Sequence, residues 1–233
     1  MAFTFFCTFI AMKKATLLLL LCISISSCGQ NLPKDFVYLS NIDESIQTEM
    51  RYISYNNFIG KPIDGYKKAV IIVTESAAIA LKNVQKQLLE FNLSLKIFDA
   101  YRPQQAVDHF VVWAKVLNDT LMKRQYYPDV PKTELFKRGY ISAKSGHTRG
   151  STLDLTIIDL TTNTELDMGS PYDFFGEQSH ALNDKLSKKQ RANRLLLRNL
   201  MVTNGFKPIR SEWWHFTLKD EPFPDTYFDF PIK

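Results

Sequence analysis

Apolar and polar residues alternate strictly through residues 152–158. The apolar members are Leu153, Leu155 and Ile157, and the polar members are Thr152, Asp154 and Thr156. Because successive side chains of a β-strand point to opposite faces of its sheet, this period of two predicts a strand. We expect its apolar residues to face the core and its polar residues to face a cleft.

Helical patterns precede this strand. A helix is predicted from about Thr74, a residue type that caps helix N-termini, to about Phe91. Its apolar stripe consists of Ala78, Leu81, Val84, Leu88 and Leu89. Pro103 suits the first turn of a second helix, which is expected to run to about Leu117.

A third, longer helix is predicted over residues 184–203, because Asn204-Gly205 is a common C-terminal helix signal. A short helix is expected near residues 132–138, and apolar runs indicate strands at 93–98 and 213–218. Since the helices are few and the strands are unevenly spaced, the pattern predicts the α+β class. We expect a single domain with a small, mostly antiparallel sheet that is flanked by helices and carries the cleft.

The N-terminal residues have the features of an export signal. A Lys-Lys pair precedes an apolar run at residues 15–25, and small residues follow up to Cys28. Residues 25–28 also resemble a bacterial lipobox, in which Cys28 is lipidated and becomes the first residue of the mature chain. The alternative is a transmembrane anchor formed by residues 2–25, which two adjacent lysines inside a bilayer would disfavour.

The signal interpretation divides the chain into a signal segment at residues 1–28, a tether and entry segment at 29–43, and the domain at 44–233. The cysteines are Cys7, Cys22 and Cys28. Processing at Cys28 would leave no other thiol, so the domain must be stabilised by its core without disulfides. We expect a lipid-anchored protein of the cell envelope that faces the periplasm or the exterior.

Composition limits the classes of partner. The formal net charge is +5, and 45% of the residues are hydrophobic, which is ample for a packed core. The basic residues are spread along the chain and form no stripe that would follow a phosphate backbone. We therefore expect no nucleic acid partner, and membrane contact only through a lipidated Cys28.

Three residues in two short segments have the chemistry of a metal site. His147 lies on a loop beside Gly146, Asp154 follows on the predicted strand, and His215 lies on the last predicted strand. Catalytic zinc takes three imidazole or carboxylate ligands and keeps a fourth position open. The pattern therefore predicts one zinc ion per chain, held in the cleft by these three side chains.

Glu212 is the candidate catalytic base. It precedes His215 by three residues, and on an ideal strand the two side chains would point to opposite faces. The site therefore requires a turn near Trp213 that brings Glu212 into the same cleft. From there its carboxylate would take a proton from the attacking water and pass it to the leaving amine.

These residues have two other interpretations. Singly, a buried histidine or a strand aspartate is more often a structural residue than a ligand, and only their joint occurrence favours a metal. A two-histidine, one-carboxylate iron site is also conceivable. The seven-residue spacing of His147 and Asp154 and the helix-rich chain argue against it.

The sequence around these residues resembles the VanX-type D-alanyl-D-alanine dipeptidases, which belong to a zinc D,D-peptidase family. Further blocks of the family occur in the same order. They are residues 55–62, Asp64-Gly65-Tyr66, Asp99-Ala100-Tyr101-Arg102-Pro103, Met168-Gly169-Ser170 and residues 227–231. The resemblance extends from about Asp35 to Lys233. Where the family commonly has Ser, this chain has Gly146, which is expected to alter the shape of the pocket.

The resemblance implies the same three zinc ligands and the same base, and it adds three residues. Arg102 would stabilise the tetrahedral intermediate, because a fixed guanidinium stabilises developing negative charge. The alternative for Arg102 is an ion pair with Asp99 that only shapes the loop. Asp173 and Ser145 would contact the free amine of the substrate, and the alternative for Asp173 is a turn residue.

The function expected from these features is zinc-dependent hydrolysis of D-Ala-D-Ala, or of a similar small D,D-dipeptide, in cell-wall peptide turnover. One alternative is a D,D- or L,D-carboxypeptidase that acts on longer peptidoglycan stem peptides. The other is a non-catalytic, zinc-containing module that binds wall fragments. The presence of Glu212 and Arg102 favours an enzyme, because binding alone requires neither residue.

Overall fold

The structure is a computed structural model that describes residues 31–233. The predicted signal segment, its lipobox and all three cysteines lie outside this range. The strands are β1 Phe36–Tyr38, β2 Gln47–Thr48, β3 Ile72–Thr74, β4 Leu93–Asp99, β5 Thr152–Asp159, β6 Thr164–Glu165, β7 Phe206–Pro208 and β8 His215–Leu218. The helices are α1 Glu75–Leu89, α2 Gln104–Lys115, α3 Lys123–Tyr126 and α4 Lys188–Thr203. Short 3₁₀ turns occur at Leu39–Asn41, Arg51–Ile53, Lys132–Glu134, Gly146–Arg149 and Glu177–Ser179.

The main sheet is built around β5. Its strand order is β2-β4-β5-β8-β7, and β6 pairs with the far end of β5. Only the β2–β4 pair of this sheet is parallel, so the predicted small, mostly antiparallel sheet is confirmed, and with it the α+β class. Helix α1 packs on β4, and α4 lies against β7, so helices flank the sheet as expected.

The observed helix starts differ in detail from the predicted ones, because they depend on individual side-chain contacts that hydrophobic periodicity does not predict. Thr74 stands at the N-cap position of α1, but its hydroxyl lies 2.7 Å from Ser151 Oγ and does not cap the helix. Pro103 precedes α2 instead of lying in its first turn. Helix α4 begins at Lys188, four residues later than predicted, because Ser187 and Gln190 form a capping box.

Residues 132–138 were predicted to form a short helix, and they form only the 3₁₀ turn Lys132–Glu134. The strand predicted over residues 213–218 is shorter, because β8 begins at His215. Among the residues that the structure describes, no helix is long and apolar enough to cross a membrane.

The prediction that Thr152 and Thr156 face the cleft is wrong. Both are buried, because β5 is the central strand and both faces of its sheet are covered. Thr152 Oγ1 lies 2.9 Å from Thr217 Oγ1 of β8, so its hydroxyl is used inside the sheet. Of the three alternating polar residues, Asp154 is the one that lines the cleft.

The packed unit begins before residue 44, where the sequence predicted the domain to start. Strand β1 lies within the predicted tether and entry segment, and it pairs with β3 of the domain. The Phe36 ring is 6% exposed and stacks on Phe223 with a centroid distance of 5.7 Å. Leu39, which follows β1, is also buried. Residues from Phe36 onward therefore contribute to the core.

Candidate metal centre

A short turn holds His147 in the cleft. Its backbone N–H donates to Ser145 Oγ, at 3.3 Å, and Gly150 ends the turn in the left-handed conformation with a φ of 85°. The His147 Nδ1 donates to the carbonyl oxygen of Ala100 at 2.8 Å. A carbonyl accepts only, so this bond fixes the tautomer and leaves Nε2 free to bind a metal.

Strand pairing aligns the other two candidate ligands. Asp154 of β5 lies directly opposite His215 of β8, so both side chains reach the same side of the sheet. Asp154 Oδ1 is 3.1 Å from His215 Nδ1 and 3.3 Å from His147 Nε2, and the two histidine nitrogens are 3.3 Å apart. With bonds of about 2.0–2.1 Å, a tetrahedral zinc ion separates its ligand atoms by about 3.3 Å. The three donor atoms therefore fit a zinc ion.

Glu212 lies beside this triad. It precedes the start of β8, in an irregular segment, and its Oε2 is 3.4 Å from His215 Nδ1. The turn that the sequence required near Trp213 is thus present, and Glu212 lines the same cavity as the ligands. Burial raises the pKa of Glu212 to about 7, against the opposing effect of His215. A carboxyl with a pKa near neutrality suits proton transfer in both directions.

Arg102 forms the predicted ion pair and also reaches the cavity. Its Nε donates to Asp99 Oδ2 at 2.9 Å, and one terminal nitrogen lies 3.4 Å from Asp154 Oδ2. The guanidinium also lies over the rings of Tyr52 and Phe110, 5.3 Å from each centroid. The ion pair with Asp99 therefore holds the guanidinium at the cavity, and the two interpretations of Arg102 are compatible.

Asp173 and Ser145 both line the cavity. Asp173 has a φ of 63°, in the left-handed region that aspartate tolerates better than most residues. Its two carboxylate oxygens accept from the hydroxyl of Tyr52, at 3.0 and 3.2 Å. Burial, followed by repulsion from Asp154, raises the pKa of Asp173 well above its usual range. A cation beside this carboxyl would stabilise its charged form.

Sequence reasoning missed two tyrosines behind the site. Tyr52 contacts Asp173, and Tyr172 contacts Asp154. The contact of Asp99 with Arg102, by contrast, was predicted from their spacing in one family block. Tyr172 precedes Asp173 directly, but nothing in the local sequence shows that its hydroxyl reaches Asp154.

The structure gives a packing reason for Gly146. A Cβ atom added there would lie 2.8 Å from Thr152 Oγ1, which is held by its hydrogen bond to Thr217. Glycine at this position therefore leaves room for the buried Thr152 hydroxyl. Gly146 itself lines the cavity beside His147.

The cavity in front of the triad has a volume of about 180 Å³. Its apolar wall consists of Phe58, Val107, Phe110, Ile141, Phe175, Ile209 and Trp214. Three convergent ligands beside an open cavity are typical of a catalytic metal site rather than of a closed structural one. An acid–base carboxyl next to the ligands adds the group that hydrolysis requires. The fold and the site together thus define a metal-dependent hydrolase.

Comparison with known proteins identifies the family. The family model described as D-ala-D-ala dipeptidase matches residues 33–233, so the chain belongs to this peptidase family. A D-alanyl-D-alanine dipeptidase of Enterococcus faecalis is 41% identical over 198 residues, which is 85% of this chain and 98% of the relative. One from Streptomyces coelicolor has the same identity and coverage. One from Escherichia coli is 36% identical over 79% of this chain and 84% of its own length.

Proposed function

We propose that the protein hydrolyses D-Ala-D-Ala, or a similarly small D,D-dipeptide, with one zinc ion held by His147, Asp154 and His215. The observation that carries the proposal is the position of Asp173 in the same small cavity as the three ligands. A buried carboxylate there can pair with the ammonium of a free dipeptide. Curated relatives that are 41% identical over 98% of their length carry the name D-alanyl-D-alanine dipeptidase.

The residues around the metal have separate tasks in this reaction. When bound, zinc acts as a Lewis acid and lowers the pKa of water in its coordination sphere. Glu212 takes the proton of the attacking water and delivers it to the leaving amine, for which a pKa of about 7 is well matched. Arg102 stabilises the oxyanion through a terminal nitrogen while its Nε stays bound to Asp99.

Asp173 explains why a dipeptide is preferred to a longer peptide. In a dipeptide, the ammonium and the scissile carbonyl belong to the same residue and are separated only by its Cα. A longer stem peptide has a neutral amide at that depth, which would leave the buried carboxylate without a cation. This difference opposes the carboxypeptidase alternative, because only a cation at that depth stabilises the charged form of Asp173, whose pKa is raised by burial.

We expect the wild-type protein to carry one zinc per chain and to cleave D-Ala-D-Ala much faster than N-acetyl-D-Ala-D-Ala. Asp173→Asn should lower kcat/KM for the free dipeptide by about 100-fold, since it removes a desolvated charge pair. The kcat/KM for the acetylated substrate should change little. Steady-state kinetics on both substrates, with zinc quantified in the same samples, measures these effects.

Asp167→Asn is a suitable control, because Asp167 belongs to the same loop but is solvent-exposed and does not line the cavity. This variant should leave kcat/KM unchanged for both the free and the acetylated dipeptide. Cleavage of the acetylated peptide alone would favour the carboxypeptidase, and zinc binding without any cleavage would favour the wall-binding module.

We propose that the enzyme works in the cell envelope, where it is anchored through a lipid on Cys28 and degrades dipeptides released during wall turnover. The support is the signal pattern of residues 12–28, with its Lys-Lys pair, apolar run and lipobox. Cys28→Ser should abolish incorporation of a labelled fatty acid and release the protein from the membrane fraction. Cys22→Ser, in the same segment, should change neither. Retained labelling in the Cys28 variant would contradict the anchor.

A further inference from the structure

The two oxygens of Asp154 have different surroundings. Oδ1 faces the ligand nitrogens of His147 and His215, at 3.3 and 3.1 Å. Oδ2 points away from them, toward the hydroxyl of Tyr172 at 3.2 Å and a terminal nitrogen of Arg102 at 3.4 Å. The outer oxygen of this ligand thus has two donors from other parts of the chain.

The Tyr172 ring is held on two sides. It stacks on Phe98 of β4, with a centroid distance of 4.5 Å and an interplanar angle of 8°. It also meets the ring of Trp214 edge-on at 5.5 Å, and Trp214 immediately precedes His215. Tyr172 is only 2% exposed. Its hydroxyl is therefore a fixed point beside Asp154.

Tyr172 has two possible acceptors but only one proton to donate. Its hydroxyl is 3.2 Å from Asp154 Oδ2 and also 3.2 Å from the hydroxyl of Tyr52. Tyr52 itself donates to the carboxylate of Asp173. A charged carboxylate accepts a stronger hydrogen bond than a neutral hydroxyl does, so the Tyr172 hydroxyl donates its hydrogen bond to Asp154 Oδ2.

We propose that Tyr172 is a positioning residue of the metal centre, whose hydroxyl holds Asp154 Oδ2 so that Oδ1 alone is presented to the metal. Arg102 shares this oxygen, but in the proposed function its terminal nitrogen turns to the substrate oxyanion. Tyr172 is then the donor that stays on Asp154 throughout the reaction. The inference rests on the metal site of the proposed function and adds a residue outside its ligand set.

The test is the zinc affinity of Tyr172→Phe, measured without substrate by competition with a chromophoric chelator. Loss of a hydrogen bond to a metal ligand lowers metal affinity by about 10- to 100-fold, and we expect a loss of about 10-fold here because Arg102 still contacts Oδ2. The absorption spectrum of the cobalt-substituted variant should also shift, because Asp154 is free to rotate or to bind through both oxygens.

Tyr101→Phe is the matched control. Tyr101 is buried and stacked on Phe230, and its hydroxyl bonds only to the Phe230 backbone among the contacts of the described residues. It should lower the melting temperature without changing zinc affinity or the cobalt spectrum.

Equal zinc affinity in wild type and Tyr172→Phe, or an equal loss in both variants, would overturn the proposal. The comparison is independent of catalysis. A wild-type protein that binds zinc but fails to cleave D-Ala-D-Ala would refute the proposed function and leave this test intact.

Discussion

Glu212→Gln is expected to lower kcat for dipeptide hydrolysis by about 1,000-fold while zinc stays bound. General acid–base catalysis contributes about 10²–10⁴-fold, and here one carboxyl both accepts and delivers the proton. Glutamine has nearly the same shape but cannot accept a proton at neutral pH. Because Glu212 is not one of the three ligands, the metal site should survive the change. Steady-state kinetics and metal quantification on the same preparation measure both quantities.

Glu165→Gln is the appropriate control for this experiment. Glu165 pairs with Lys96 at the surface end of the sheet and does not line the catalytic cavity. It should retain wild-type kcat and zinc content. Undiminished hydrolysis by Glu212→Gln would refute the assigned base. Loss of zinc in that variant would instead make Glu212 part of the metal-binding set.

Arg102→Lys is expected to lower kcat by about 100-fold, with a much smaller change in KM. Removing one preorganised donor to an oxyanion costs about 10²–10³-fold. The guanidinium contacts Asp99 through Nε and Nη2 and reaches Asp154 through Nη2, and a lysine ammonium cannot reproduce this two-nitrogen arrangement. Lysine keeps a positive charge beside the fully buried Asp99, so the variant should fold.

Arg149→Lys is the control for this variant, because it also removes an arginine that contacts a carboxylate through two nitrogens, but at a position away from the site. Arg149 makes two contacts of 2.8 Å with Glu221, outside the catalytic cavity. Its replacement should lower the melting temperature and leave kcat unchanged. An unchanged kcat in Arg102→Lys would refute the catalytic role and leave Arg102 only as a structural partner of Asp99.

Local pattern predicted much of the architecture. The alternation of residues 152–158 identified β5, the spacing of apolar residues identified α1, and the Asn204-Gly205 signal identified the C-terminal end of α4. Side-chain periods and short terminal motifs are local properties of each element. The start of α4 was placed four residues too early, because its position depends on a reciprocal bond between Ser187 and Gln190.

The burial of Thr152 and Thr156 shows where a local pattern is insufficient. Alternation states which residues share a face of a strand, but not whether that face is covered. The Thr156 side of β5 is packed against residues from distant positions. Lys96 is the cross-strand neighbour of Thr156 and lies over the Phe98 ring, on which Tyr172 stacks. Burial is therefore a property of the assembled layers and not of the strand.

Residue chemistry and spacing selected four residues of the candidate site, and the family resemblance added Arg102, Asp173 and Ser145. Their convergence depends on long-range contacts: the register of Asp154 against His215, the turn that carries Glu212, and the bond from His147 to Ala100. The supporting contacts of Tyr52 with Asp173 and of Tyr172 with Asp154 arise in the same way. Tyr52 and Asp173 are 121 positions apart in the chain, and no sequence period relates them. The identity of each reactive group is thus encoded at its own position, whereas its distance, charge environment and support exist only after the sheet has paired and its faces have been covered.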